Sequence, residues 1–376
     1  MKKVLFVATV VKKHIMAFHI PYLEWFRKNG YEVHVVARND YENKEECNIP
    51  YCGKFFSLPF QRFPIKKDNF YVMKELKKII DTNGYEIIHC HTPMGGVLGR
   101  LAARKARKKG TKVIYTAHGF HFYKGAPLIN WLIYYPVERW LARYTDVLIT
   151  INQEDYERAK NKFKARKVEF VLGVGVDVEK YSDFKINRAL KRKEIGVPEE
   201  SFVLLSVGEL NKNKNHEAVI KALAEVGNKD IHYIICGEGR LEEYLNNLSK
   251  SLGIENQVHL LGFRKDVIEI TKVSDVFVLP SYREGLSLAL MEAMACGLPV
   301  ICSDIRGNSD LITDSKGGYL VKPNDKKKLA LFINELFNQE RTRKDFALYN
   351  LIKIEKYCIN NVLNRLKHIY KDEIDD

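Results

Sequence analysis

The 376-residue sequence has no apolar run reaching the roughly 18 residues of a membrane-spanning helix, so no such helix is expected. It also lacks paired cysteines. Cys47, Cys52, Cys90, Cys236, Cys296, Cys302 and Cys358 form an odd, scattered set without C-x-x-C spacing, which argues against a disulfide framework and reads as reduced core thiols of a cytosolic protein. No low-complexity segment or short-period repeat is present, and no nucleic-acid recognition motif. No secretory leader is expected, because Met1-Lys2-Lys3 runs straight into the strand-like Val4–Ala8. Acidic residues are the minority charge: 61 Lys and Arg against 47 Asp and Glu give a net charge of +14, which favours an anionic partner. Charge alone does not choose among nucleic acid, a phosphorylated substrate and an anionic membrane surface.

What is present is an alternation. Strand-like apolar runs at Val4–Ala8, Glu32–Ala37, Glu86–Cys90, Lys112–Thr116, Asp146–Thr150 and Phe170–Leu172 are separated by helical patterns such as Phe18–Lys28, Tyr71–Asp81, Val97–Lys108 and Asn130–Tyr144. After a polar stretch from Asp177 to Glu200 the alternation restarts, with strands at Phe202–Val207, Ile231–Cys236, Val258–Leu260, Val276–Leu279 and Pro299–Cys302. A last helical pattern covers Glu355–Tyr370. Two consecutive α/β sets predict two Rossmann-like domains of mostly parallel sheet, with a ligand cleft between them. Binding proteins, epimerases and transferases all fit that plan.

The most informative stretch is Val276–Cys302, VFVLPSYREGLSLALMEAMACGLPVIC. A buried strand, a short loop and a helix from Leu286 place Glu284 and Glu292 eight residues apart, and Gly297-Leu298-Pro299 ends the helix before the next strand. The free amides of Gly285, Leu286, Ser287 and Leu288 at the helix start offer a phosphate site, and the two carboxylates can accept hydrogen bonds from sugar hydroxyls. The alternative for Glu292 is a solvated helix residue. Upstream, Gly208-Glu209-Leu210-Asn211-Lys212-Asn213-Lys214 closes the Phe202–Val207 strand as a diphosphate candidate, against a merely solvated basic loop. Cys236-Gly237-Glu238-Gly239 admits a ligand or another backbone closely, and Leu261-Gly262-Phe263-Arg264 closes the strand after that, where it can present backbone groups to a base ring. All these turns follow parallel strands, at the ends where open α/β sheets bind ligands.

In the first half His118, after the Lys112–Thr116 strand, faces the cleft and is a candidate for the transferred sugar. His91 ends the preceding strand and opens on Met94-Gly95-Gly96, read as another helix-start cradle. Lys13 and His14 lie in the first turn, which carries no G-x-G-x-x-G, so no dinucleotide is expected there. A zinc set of His89, His91, His118 and His121 lacks a cysteine pair and shares a face only in part. For membranes, the basic stretch Arg100–Lys109 with Phe120, Phe122, Tyr123, Lys124 and Trp131 reads either as a seat on an anionic leaflet or as a solvated helix face beside core aromatics.

With these residues assembled, the chain resembles the retaining glycosyltransferases of the GT-B fold, family 4, over nearly its whole length. Glu284-Gly285-Leu286-Ser287-Leu288-Ala289-Leu290-Met291-Glu292 resembles that family's E-x7-E motif, and Gly297-Leu298-Pro299-Val300, Cys236-Gly237-Glu238-Gly239 and Gly175-Val176-Asp177 match other positions. The resemblance implies an acceptor domain of residues 1–177, joined by a returning helix at 355–376, and a donor domain of residues 178–354. It implies that Glu284 contacts the donor sugar, Glu292 the ribose and the Leu286–Leu288 amides the diphosphate. Lys214 matches the diphosphate-binding lysine and His118 the histidine near the sugar, while Lys13, His14 and His91 fall on the acceptor side. Two departures stand out. Glu209 occupies the family's arginine position, so it must turn away from a diphosphate or be offset by Lys212, and Val11-Lys12-Lys13-His14 replaces the usual glycine pair.

The expected protein is a cytosolic enzyme, peripheral at the inner membrane face and most like capsule and exopolysaccharide enzymes. It would move a sugar from a nucleotide donor, a UDP-sugar, to a lipid-diphosphate-linked glycan. No cofactor is expected, since no D-x-D follows a buried strand; no nucleic-acid partner is expected either. The alternatives are a UDP-sugar epimerase of the same fold and a non-catalytic sugar-nucleotide-binding protein.

Overall fold

The computed structural model describes residues 1–182 and 184–375. They divide into two compact units, residues 1–174 with 362–375 and residues 175–361, leaving aside position 183. Each is a parallel α/β unit, as the alternation predicts.

The first unit is built on seven strands: β1 (Lys3–Val10), β2 (Glu32–Arg38), β3 (Lys54–Ser57), β4 (Ile87–His91), β5 (Lys112–Ala117), β6 (Val147–Thr150) and β7 (Lys167–Phe170), in the order β3-β2-β1-β4-β5-β6-β7 with every pairing parallel. Alternation along β1 sends Leu5 and Val7 to one core and Val4, Phe6 and Ala8 to the other. A sheet covered on both faces buries its strands completely, which is why these strands read as unbroken apolar runs. On the Phe6 side lie Leu366, Ile369 and Tyr370 of the last helix (Ile359–Asp375), with Tyr370 Oη 2.7 Å from His89 Nδ1. On the other side the Pro93–Ala102 helix lies against the sheet through glycine: a Cβ at Gly96 would stand 2.4 Å from the Tyr115 ring and one at Gly99 2.4 Å from Cys90 Sγ. Gly96 and Gly99 thus give this helix its packing surface against the sheet.

The second unit has six strands: β8 (Phe202–Val207), β9 (Ile231–Cys236), β10 (Val258–Leu260), β11 (Val276–Leu279), β12 (Val300–Ser303) and β13 (Gly318–Val321), in the order β10-β9-β8-β11-β12-β13, again all parallel. In both sheets the chain builds outward to one edge and then restarts beside its first strand. The order thus reverses between β1 and β4 in the first sheet and between β8 and β11 in the second. Helices leave such a pair toward opposite faces, and the crevice at the strands' carboxyl ends is where α/β sheets take ligands. Sequence patterning misses β3 and β13, and it places β7 about three residues late.

Near the unit boundary Gly175 has φ +81°, and a Cβ there would lie 2.6 Å from Ile359 Cα. Glycine lets the chain run beside residues 357–359, with the Val176 amide donating to Tyr357 O (3.0 Å) and the Ile359 amide to Val176 O (2.9 Å).

Candidate active site

At the β8/β11 reversal the structure brings together Lys214 and Glu284. Lys214 Nζ donates to Glu284 Oε1 at 2.8 Å, with both side chains only slightly exposed. Each is held from below. The Lys214 amide donates to Asn211 Oδ1 (3.0 Å), so the loop after β8 folds into a side-chain-closed turn. Asn215 adopts a left-handed conformation (φ +56°) and donates to Pro280 O and Pro323 O, which fastens this loop to the one after β11. Tyr282 donates its amide to Asn213 O (2.8 Å), and Asn213 Nδ2 donates to Arg283 O (3.0 Å). The lysine and glutamate loops are one cross-linked surface.

The helix after β11 begins at Leu288, two residues later than predicted, and Ser287 caps it by accepting from the Leu290 amide at 3.4 Å. The first-turn amides of Leu288 and Ala289 have no carbonyl four residues back within the helix. Gly285 and Leu286 belong to the loop ahead of it, not to the helix. The free first-turn amides of the helix are therefore those of Leu288 and Ala289, with the Ser287 hydroxyl engaged as the cap. Glu292 lies in the second turn. Its Oε1 accepts from Tyr181 Oη at 2.7 Å; burial raises its carboxyl pKa and the Tyr181 hydroxyl pulls it back. Tyr181 is a site residue the sequence does not announce.

The glycine turns pack on one another. A Cβ at Gly237 would stand 2.0 Å from Gly208 O, and one at Gly239 2.5 Å from Leu210 O. The Gly208 amide donates to Cys236 O, Leu210 to Glu238 O and Gly237 to Gly262 O. Of the two options for Gly237 and Gly239, close approach of another backbone is what they supply. A Cβ at Gly208 would meet Lys214 Cε at 2.9 Å, so that glycine makes room for the lysine stem. Phe263 is 69% exposed beside Gly262, a free ring at the end of β10. Glu209 is exposed, and it forms no ion pair with Lys212 among the described residues. Arg306 and Gly307 were not foreseen. Arg306 is 8% exposed with Nε donating to Glu284 O (3.3 Å), and Gly307 (φ +80°) sits where a Cβ would come within 2.2 Å of Gly285 O.

The first unit presents a cavity of about 470 Å³ lined in part by Lys13, His14, Arg62, Met94, His121 and Tyr134. Lys13 and His14 follow β1, where Asp40 accepts from the Lys12 and Lys13 amides and fixes the turn. His91 and His118 do not line the cavity; they meet His14 and His19 beside it. The sequence-level zinc set does not assemble. Both nitrogens of His89 are engaged, by Tyr370 and by Thr116 Oγ1 (2.8 Å), and His121 stacks on Tyr134 at 4.6 Å.

The basic stretch is largely a solvated face, with Arg104, Lys105, Lys108 and Lys109 exposed, and Phe120 and Phe122 are core. Arg100 instead is fully buried, its Nη2 2.7 Å from Glu138 Oε2 and its guanidinium over the Tyr115 ring. The Leu128–Leu141 helix turns Leu128, Ile129, Leu132, Ile133, Val137 and Trp140 to solvent. Among the described residues no helix is long and apolar enough to cross a membrane.

A family model described as glycosyl transferases group 1 matches residues 187–350, and one described as glycosyltransferase family 4 matches residues 22–180. The chain is 44% identical over 342 residues to EpsD of Bacillus subtilis (strain 168), a protein named as a glycosyltransferase, covering 90% of this chain and 88% of that one. It is 33% identical over 321 residues to the UDP-Gal:alpha-D-GlcNAc-diphosphoundecaprenol alpha-1,3-galactosyltransferase of Escherichia coli, covering 82% and 80%. The fold is similar to that of Anabaena Alr3699/HepE in complex with UDP and glucose, with a TM-score of 0.82, 20% identity and coverage of 99% and 100%. Two parallel Rossmann-like units, both family matches and this degree of identity establish that the chain belongs to the GT-B glycosyltransferases of the family 4 type.

Proposed function

We propose that the enzyme transfers a sugar from a UDP-sugar to a hydroxyl of a lipid-diphosphate-linked glycan, with retention at the anomeric carbon, in capsule or exopolysaccharide synthesis at the inner face of the cytoplasmic membrane. The Lys214–Glu284 pair at the β8/β11 reversal carries this reading. A cation and a carboxylate that neutralise each other in the free protein can exchange partners when a donor enters. Lys214 then turns to the diphosphate and Glu284 to the sugar hydroxyls. Glu292 accepts from the ribose, and the Leu288 and Ala289 amides meet phosphate oxygens. Phe263 offers a face to the base.

In the reaction the bond from the anomeric carbon to the diphosphate breaks and one to the acceptor oxygen forms on the same face. The acceptor proton passes to the departing phosphate oxygen. Negative charge grows on the diphosphate, where Lys214 and the helix-start amides stabilise it; no metal is assigned to that role. His118 is the residue this reading assigns to the transferred sugar, and Lys13 and His14, which line the 470 Å³ cavity with Arg62, are those it assigns to the acceptor. The Escherichia coli relative is named for a diphosphoundecaprenol acceptor, which supports the lipid-linked class. The exposed apolar stripe on the Leu128–Leu141 helix supports seating on a membrane.

The test is to incubate the protein with a panel of UDP-sugars and lipid-diphosphate-linked acceptors, and to read the anomeric configuration of the product by NMR. Lys214→Ala and Glu284→Ala should each lower kcat by about 10²- to 10³-fold with the fold intact. Near-normal turnover in either variant would remove these residues from the site. Release of an epimer from UDP-sugar alone would point to the epimerase, and donor binding without turnover on any acceptor to a sensor.

A further inference from the structure

Four histidines of the first unit converge on one point. His14 and His19 follow β1, His91 ends β4 and His118 follows β5, and one ring nitrogen from each lies within 4.8 Å of the other three. Neighbouring strands at the β1/β4 reversal bring them together from three separate stretches of sequence. His14, His19 and His91 are buried and His118 is partly exposed.

Their hydrogen bonds run among themselves. Buried His89, His34 and His216 bond Tyr370 and Thr116, Tyr85 and Glu32, and Tyr233 respectively, while buried His232 also bonds a histidine, His259 (3.0 Å), but as a pair and not a group of four. Among the described residues the four converging rings hydrogen-bond only one another, with His14 Nε2 3.1 Å from His19 Nε2 and His118 Nε2 3.5 Å from His91 Nδ1. His19 Nδ1 and His91 Nε2 are buried with no hydrogen-bond partner among the described residues. No carboxylate belongs to the set.

Burial, reinforced among His14, His19 and His91 by the neighbouring rings, lowers all four pKa values, that of His118 to about 4. Neutral imidazole does not attract an anion; it is the form that ligates a metal. Nitrogens about 2.0–2.1 Å from a tetrahedral zinc stand about 3.3 Å from one another. The measured pairs, 3.1 and 3.5 Å, bracket that edge. The widest separation allowed within the group would have to close by about 1.5 Å, a shift within reach of side-chain torsions.

We propose that His14, His19, His91 and His118 bind one divalent transition-metal ion, zinc in the first place, in a closed four-imidazole site that ties the turn after β1 to the ends of β4 and β5. Four protein ligands leave no open position, so the ion positions the loops and His118 rather than acting as a Lewis acid. This set differs from the zinc set weighed in the sequence, and it departs from the expectation of no metal.

Untagged protein, dialysed against zinc and passed through gel filtration, should carry about one zinc per chain by mass spectrometric metal analysis. His19→Gln and His14→Gln should each lose it by at least about tenfold, while His121→Gln, outside the group, should keep it. Cobalt substitution should give the intense visible bands of a tetrahedral site. Zinc well below one per chain in the wild type, or unchanged content in folded His19→Gln and His14→Gln, overturns the proposal. If the variants fail to fold, the wild-type cobalt spectrum decides, weak octahedral bands or none counting against it.

Discussion

Glu292 shares its hydrogen-bonding capacity between the protein and any ligand. One oxygen already accepts from Tyr181, so a ribose would meet a carboxylate that is oriented before it arrives. Burial raises the carboxyl pKa and the Tyr181 hydroxyl opposes that rise. A carboxyl accepts hydrogen bonds best when ionised, so donor affinity should fall as pH drops through this raised value. In Tyr181→Phe the opposing hydrogen bond is lost, and the acid limb of donor affinity should move to higher pH. Calorimetric titration of a UDP-sugar across pH checks this; superimposed limbs would show that Tyr181 does not tune the carboxylate. Glu284, Glu292 and Lys214 are legible in sequence because each sits at a fixed offset from a strand or glycine. Tyr181 and Arg306 are not, because their partners lie 111 and 22 residues away and nothing local marks the contact.

The Leu128–Leu141 helix is apolar on two sides. One stripe faces outward, while the inner side packs Trp131, Tyr134 and Tyr135 on the core and carries Glu138 against the buried Arg100. Arg100 also donates Nε to Gly96 O (2.8 Å), which ties this pair to the helix that leans on the sheet through glycine. Glu138→Gln should therefore leave a buried cation without its counter-charge and destabilise the protein by about 3–5 kcal/mol in urea unfolding. Arg100→Met combined with Glu138→Leu should recover most of that loss. A single-variant loss below about 1 kcal/mol would mean that Arg100 is solvated from the adjoining cavity. Elements were read well where both faces of a strand are buried. β3 was missed because its four residues, Lys54-Phe55-Phe56-Ser57, run exposed, half-buried, half-buried, exposed, a pattern shared with loops. Within the basic stretch Arg104, Lys105, Lys108 and Lys109 are exposed as a solvated face would have them, and the inward turn of Arg100 was not legible because charge in sequence does not reveal which way a guanidinium points.

Across the whole chain, the fold was legible because doubly covered parallel sheets leave a repeating trace of short apolar runs and intervening helices. The histidine convergence was not, because it depends on strand order: β1, β4 and β5 are neighbours in the sheet but far apart in sequence. The outward stripe of Leu128, Ile129, Leu132, Ile133, Val137 and Trp140 has a consequence for how the purified protein behaves in a tube. With a net charge of +14, molecules repel one another in dilute buffer, and that repulsion hides their adhesive patch. Salt shortens the reach of the repulsion from about 30 Å at 0.01 M to about 3 Å at 1 M. Light scattering should therefore rise with ionic strength, fall on addition of a mild detergent, and lose its salt dependence in Leu132→Glu with Ile133→Glu; flat scattering of the wild type across that range would show the patch is not adhesive. The high-salt wash that clears contaminants from most basic proteins would make this one a cloudy colloid.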